Sequence, residues 1–130
     1  MKIRWILSSL LLITVLLGCA TSTSSRSSPD KLIEQFCRAS AANDSETQWA
    51  LLSDQVKSQN GLRLDDFRES VRRVPVSVAK VLSKTAVDKN HVRYWIRITF
   101  DRGDETIGLA DVVRHDTGWQ IDRWVPGYEK

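Results

Sequence analysis

Apolar residues recur with helical spacing over residues 29–73 and alternate with polar ones over much of residues 76–125. Leu32, Ile33, Phe36 and Cys37 form one stripe of a helix predicted over about Pro29–Ala42, with Ser28 or Asp30 as its cap. A second helix is predicted from Ser45. There Ser45-Glu46-Thr47-Gln48 has the spacing of a capping box, and Trp49, Leu52 and Val56 follow on one side. Asn60-Gly61 breaks the chain. A third helix, about Leu64–Arg73, presents Leu64, Phe67 and Val71 as its buried side. Asp65 and Asp66 suit its positive N-terminus, Arg72 and Arg73 suit its negative C-terminus, and Pro75 prevents its extension.

Four strands are predicted after the helices. The first lies within Val76–Val87, with an alternation that slips near Lys80–Leu82, as at a bulge. In the second, Val92, Tyr94, Ile96, Ile98 and Phe100 alternate with Arg93, Trp95, Arg97 and Thr99. Asp101-Arg102-Gly103-Asp104 is a hairpin turn. The third strand places Ile107, Leu109 and Val113 on one face, and the fourth does the same with Trp119, Ile121 and Val125. Helices followed by an antiparallel meander make an α+β domain, with one sheet face on the helices and the other toward water or a partner.

The start of the chain has a different pattern. Lys2 and Arg4 precede an apolar run from Ile6 to Leu17, interrupted only by Ser8, Ser9 and Thr14. A short basic region, a short apolar run and the small residue Gly18 make a secretory signal. The run is shorter than the roughly 20 apolar residues of a membrane-spanning helix. Ala20 to Ser28 is Ser/Thr-rich, without core-forming residues, and reads as a flexible tether. The expected organisation is therefore a signal over 1–18, a tether over 19–29 and one domain over 30–130.

Charge changes meaning once these segments are separated. The whole chain is formally +3, but Lys2, Arg4 and Arg26 lie outside the domain, which holds 16 basic and 16 acidic residues. A neutral domain offers no electrostatic footprint for nucleic acid. Cys37 lies in the first helix stripe, where a small buried hydrophobe is the ordinary reading and an intermolecular disulfide the alternative. His91 falls in a turn and His115 at a strand end. Neither stands beside a nucleophile or in metal-ligand spacing, and no phosphate-binding glycine loop exists. No catalytic residue, metal or cofactor is expected. Arg93, Trp95 and Arg97, with Trp124 on the last strand, have the composition enriched at protein interfaces. An envelope protein or a second copy of the chain is the expected partner.

Two resemblances sharpen these expectations. Leu16-Leu17-Gly18-Cys19 resembles the lipobox of bacterial lipoproteins. That implies cleavage after Gly18 and a mature chain beginning at Cys19, modified on its thiol and amine by acyl chains of the palmitate type. Two or three such chains anchor stably. Ala20, where inner-membrane Gram-negative lipoproteins have Asp, implies an outer-membrane protein facing the periplasm. Asp116-Thr117-Gly118-Trp119-Gln120-Ile121-Asp122 is similar to the closing strand of the nuclear transport factor 2-like, or cystatin-like, superfamily. This implies three N-terminal helices on a curved four-stranded antiparallel sheet forming a cone. Residues 57–62 are too few for the extra hairpin of some members. Tyr94, Asp111 and Arg123 each interrupt an apolar strand face, and the resemblance makes them candidate lining of a pocket for a small hydrophobic ligand. His115 shares parity with Asp111, an arrangement that some superfamily enzymes use in their pockets.

Overall fold

A computed structural model describes residues 26–59 and 61–127. The expected signal, the expected cleavage after Gly18 and lipidation of Cys19, and most of the expected tether fall on residues outside the described ones.

Pro29 opens helix α1 (Pro29–Ala41), where its missing N–H costs nothing, and Ser28 is the N-cap in extended conformation. The predicted stripe is the buried one: Leu32, Ile33, Phe36 and Cys37 all lie in the core. Asn43, in the left-handed region at φ 53°, ties the end of α1 to the sheet. Its amide nitrogen donates to the Val76 carbonyl at 3.2 Å, and its side-chain oxygen accepts from the Val76 N–H at 2.8 Å.

The predicted second helix is two helices, α2 (Ser45–Leu51) and α3 (Asp54–Gln59). Leu52 leaves the helix to bridge Ile121 in parallel, and the Ser53 N–H donates to the Ile121 carbonyl at 2.9 Å. The Ser53 hydroxyl then accepts from the Val56 N–H and starts the next turn. The break leaves Leu51, Leu52 and Val56 buried and turns the Ser53 N–H from the helix to the sheet edge. The cap of α2 also falls one residue before the predicted box. Asp44 accepts from the Thr47 N–H at 3.1 Å, while Gln48 is buried beside Ser40. Helix α4 (Leu64–Arg73) has no fully buried residue. Phe67 packs on Trp49 at 5.6 Å and Arg68 pairs with Glu46, so α4 leans on α2 rather than entering the core.

Strands β1 (Val76–Asp88), β2 (His91–Phe100), β3 (Glu105–His115) and β4 (Gly118–Val125) form one antiparallel sheet in chain order. The slip expected near Lys80–Leu82 is a register shift between Val81 and Ser83. On β2 the predicted faces hold: Tyr94, Ile96 and Ile98 are buried toward the helices.

The face expected inward on β3 is in fact the outer one. Tyr94 pairs with Ala110, Ile96 with Gly108 and Val92 with Val112, so Gly108, Ala110 and Val112 face the helices. Ile107, Leu109, Asp111 and Val113 face away. Gly108 has no side chain where the Trp124 indole crosses this face. A Cβ on Gly108 would lie 2.7 Å from the Trp124 indole and 3.1 Å from the Ile98 side chain. Gly108→Ala is therefore expected to cost about 1–2 kcal/mol by overpacking, measured as a lower urea midpoint with an unchanged m-value.

A second shift, opposite Asp111/Val112, divides β4. Ile121 pairs with Val112, but Trp124 pairs with Ala110 and so also points inward, leaving Arg123 and Val125 outward. The predicted Trp119/Ile121/Arg123/Val125 face does not exist as one set. Trp124 meets Phe36 edge-on, with centroids 5.0 Å apart.

Candidate functional site

The outer sheet face places Arg93 opposite Asp111, Trp95 opposite Leu109 and Arg97 opposite Ile107, with Arg123 flanking Asp111 on the other side. Arg93 clamps Asp111 with two bonds, Nε to Oδ1 at 2.7 Å and a terminal nitrogen to Oδ2 at 3.2 Å. The His91 Nε2 lies 3.0 Å from the same Oδ1. Burial alone would raise the Asp111 pKa, but the Arg93 hydrogen bond and His91 outweigh it and hold the carboxyl below its ordinary value. A second imidazole–carboxylate pair, His115 Nε2 to Asp122 Oδ1 at 2.8 Å, lies near the end of β3.

Beside this paired cluster is a region of another character. Lys80 on β1 stands directly opposite Arg97, a like-charge cross-strand pair, and both side chains are exposed. Such a pair costs stability. Among the described residues neither has an acidic partner. Around them Val78 is 48% exposed and Ile107 37%, and Trp95 is half-buried over Leu109, which is only 2% exposed although it faces away from the helices.

The inner face differs from its expected form. Tyr94 is 1% exposed and packs within the hydrophobic core. Its hydroxyl donates to Asp30 Oδ1 at 2.5 Å, and Lys84 Nζ reaches Asp30 Oδ2 at 2.7 Å. Lys84 and then Tyr94 hold the Asp30 carboxyl below its ordinary value, while burial and the Asp30 charge push the Tyr94 phenol up. An open cleft of about 400 Å³ lies against this cluster, bounded by Asp30, Ile33, Val81, Lys84 and Tyr94.

The pocket expected from Tyr94, Asp111 and Arg123 is not assembled. Tyr94 is inside, and the other two are outside, because β3 pairs one residue out of phase with its apolar pattern. Of the expected interface, Arg93, Trp95 and Arg97 share the outer face, whereas Trp124 is in the core against Phe36. In the sequence Asp30 stands out only as a possible helix cap. Its pairing with Tyr94 was signalled by the need of a buried phenol for an acceptor, but the sequence does not tell which acceptor arrives. Cys37 is buried and free, and burial, with the Glu34 charge, raises its thiol to about 11. It is held as a neutral thiol. Among the described residues no cluster of three or more His, Cys, Asp or Glu is placed to hold a metal ion.

Solved structures share this architecture. A SEC-C motif-containing protein of Rhodopseudomonas palustris superposes with a TM-score of 0.65 at 14% identity, over 84% of this chain and 85% of that one. A SEC-C motif-containing protein of Psychrobacter arcticus gives 0.61 at 12% identity, over 81% of this chain and 64% of its own. A Campylobacter jejuni protein described as an NTF2-like transpeptidase gives 0.51 at 16% identity, over 73% of this chain and 97% of that one. These likenesses show a fold: an α+β domain with an open four-stranded antiparallel sheet, of which one neighbour is NTF2-like. No protein-family model and no curated protein matches the sequence.

Proposed function

We propose that the protein is a lipid-tethered, non-catalytic interaction module of a bacterial cell envelope, anchored at the outer membrane and facing the periplasm. Its outer sheet face would dock an acidic, partly apolar surface of an envelope protein. The observation that carries this reading is the exposed Lys80–Arg97 pair, set among Val78, Ile107 and Trp95. A like-charge pair on adjacent strands is a cost to the isolated domain, and an acidic partner relieves it. Partial exposure of Trp95 beside a fixed arginine supplies a rigid anchor. The lipobox-like Leu16–Cys19 supports the tether.

Trp95→Ala is expected to weaken partner binding by about 2 kcal/mol, roughly thirtyfold in Kd, measured at a temperature where circular dichroism shows the variant folded. Photo-crosslinking in intact envelopes tests the face itself. A crosslinker at Arg97 should trap a discrete adduct that Lys80→Glu abolishes, while one at Arg72 on α4 should not. No adduct from Arg97 overturns the reading. The alternative, a carrier of a small ligand, is favoured by one observation, the cleft of about 400 Å³ beside Tyr94 and Asp30. Native mass spectrometry showing a retained small molecule, lost in Asp30→Asn, would transfer the assignment there.

A further inference from the structure

The point where the tether joins the domain is built. The Arg26 carbonyl accepts from the Trp119 N–H at 2.9 Å, and its guanidinium donates to the Ala50 carbonyl at 2.9 Å. Gly118 makes this approach possible. Its φ is +113°, and a Cβ there would lie 2.7 Å from the Arg26 carbonyl oxygen. The chain therefore enters the domain pinned to the first residues of β4 and to α2.

That entry lies at one end of the sheet. The turn between β3 and β4 ends at Gly118, and the Arg114 N–H donates to the Asn90 carbonyl at 2.8 Å, which sets the β1–β2 turn beside it. Thr85 to Asn90 are exposed, with Val87 at 50%. The β2–β3 turn, with Arg102 and Gly103, is at the opposite end, about 30 Å away along the ten residues of β2. Six residues lie between Cys19 and Arg26, a leash of seven Cα steps that spans about 25 Å at most. It is shorter than the domain is long.

We infer that the Arg26 clamp sets which end of the domain faces the lipid headgroups. The β1–β2 and β3–β4 turns face the bilayer, and the β2–β3 turn points away. The inference rests on the lipid-tether reading and adds to it an orientation. The outer sheet face then stands edge-on to the membrane, open sideways to a partner.

The full lipidated protein, reconstituted in phosphatidylethanolamine/phosphatidylglycerol vesicles with a headgroup-linked quencher, tests it. A fluorophore on Lys89→Cys should be quenched several-fold more than one on Arg102→Cys, with unmodified protein as control for the buried Cys37. A spacer of about ten Gly/Ser residues ahead of Arg26 lengthens the leash past the domain's own length and should shrink that difference. Equal quenching at Lys89 and Arg102 in protein that floats with the vesicles overturns the orientation alone. So does a difference that the spacer leaves unchanged. Protein that does not float with the vesicles, or that floats equally well as Cys19→Ser, overturns the tether reading and the orientation with it.

Discussion

Phe36→Ala should lower the unfolding free energy by about 3–5 kcal/mol, the range for removing a buried aromatic from a core that cannot fully collapse. Phe36 is 1% exposed and meets Trp124 edge-on at 5.0 Å. Trp124 in turn lies across Gly108. The three residues come from α1, β4 and β3, so the cavity opens where helix layer and sheet meet. Relaxation by the neighbours is limited, because the small residues of inner β3 have no side chain to move into the space. Urea unfolding with tryptophan emission reads the loss as a lower midpoint. A change under about 1 kcal/mol would mean that the indole can repack, and that this junction is not where the layers are held together.

Asp111→Asn should cost about 2–3 kcal/mol at neutral pH, somewhat less than breaking a fully buried ion pair. The Asp111 side chain is 8% exposed, but Arg93 is 35% exposed and can turn its charge toward water when the carboxylate is gone. The cost carries a pH signature. Asp111 and Asp30 both have folded-state pKa values below their ordinary ones. An acid with a depressed folded pKa contributes stability that is present above its unfolded pKa, near 4, and lost as pH falls through the folded pKa. The difference between wild type and Asp111→Asn should therefore be full at pH 7 and narrow progressively below about pH 4. A difference independent of pH would show that shape, not charge, is what the carboxylate contributes. With Lys84 and Tyr94 on its carboxylate, Asp30 should add to the acid loss that remains in the Asp111→Asn protein.

Local periodicity determined much of this architecture. The α1 stripe, the α4 span, the turns and the inner face of β2 were all readable from apolar spacing and punctuation by Gly, Asn and Pro. The basic start, apolar run and Cys19 that motivate the proposed lipid tether are likewise read from sequence alone. What sequence could not decide was which face of β3 turns inward. Its apolar set, Ile107, Leu109 and Val113, points away from the helices, and Gly108 and Ala110 point toward them. Hydrophobicity favours the first set for the core, but packing chose the second, since Gly108 leaves room for the Trp124 indole. That single choice separated Asp111 and Arg123 from Tyr94 and joined Arg93 to Asp111.

The other differences share that origin. Leu52 and Ser53 left their helix because the Ile121 carbonyl at the β4 edge was available as a partner, and that edge is distant in sequence. Trp124 turned inward because a register shift on β4 changed its parity, and the space it fills belongs to Phe36 and Gly108. Asp30 acquired two partners from strands more than fifty residues away. Sequence determined most of the elements, because these depend on neighbours within a few residues. Tertiary structure decided the sheet's faces, and with them the candidate site, because parity depends on which distant side chains must share the same space.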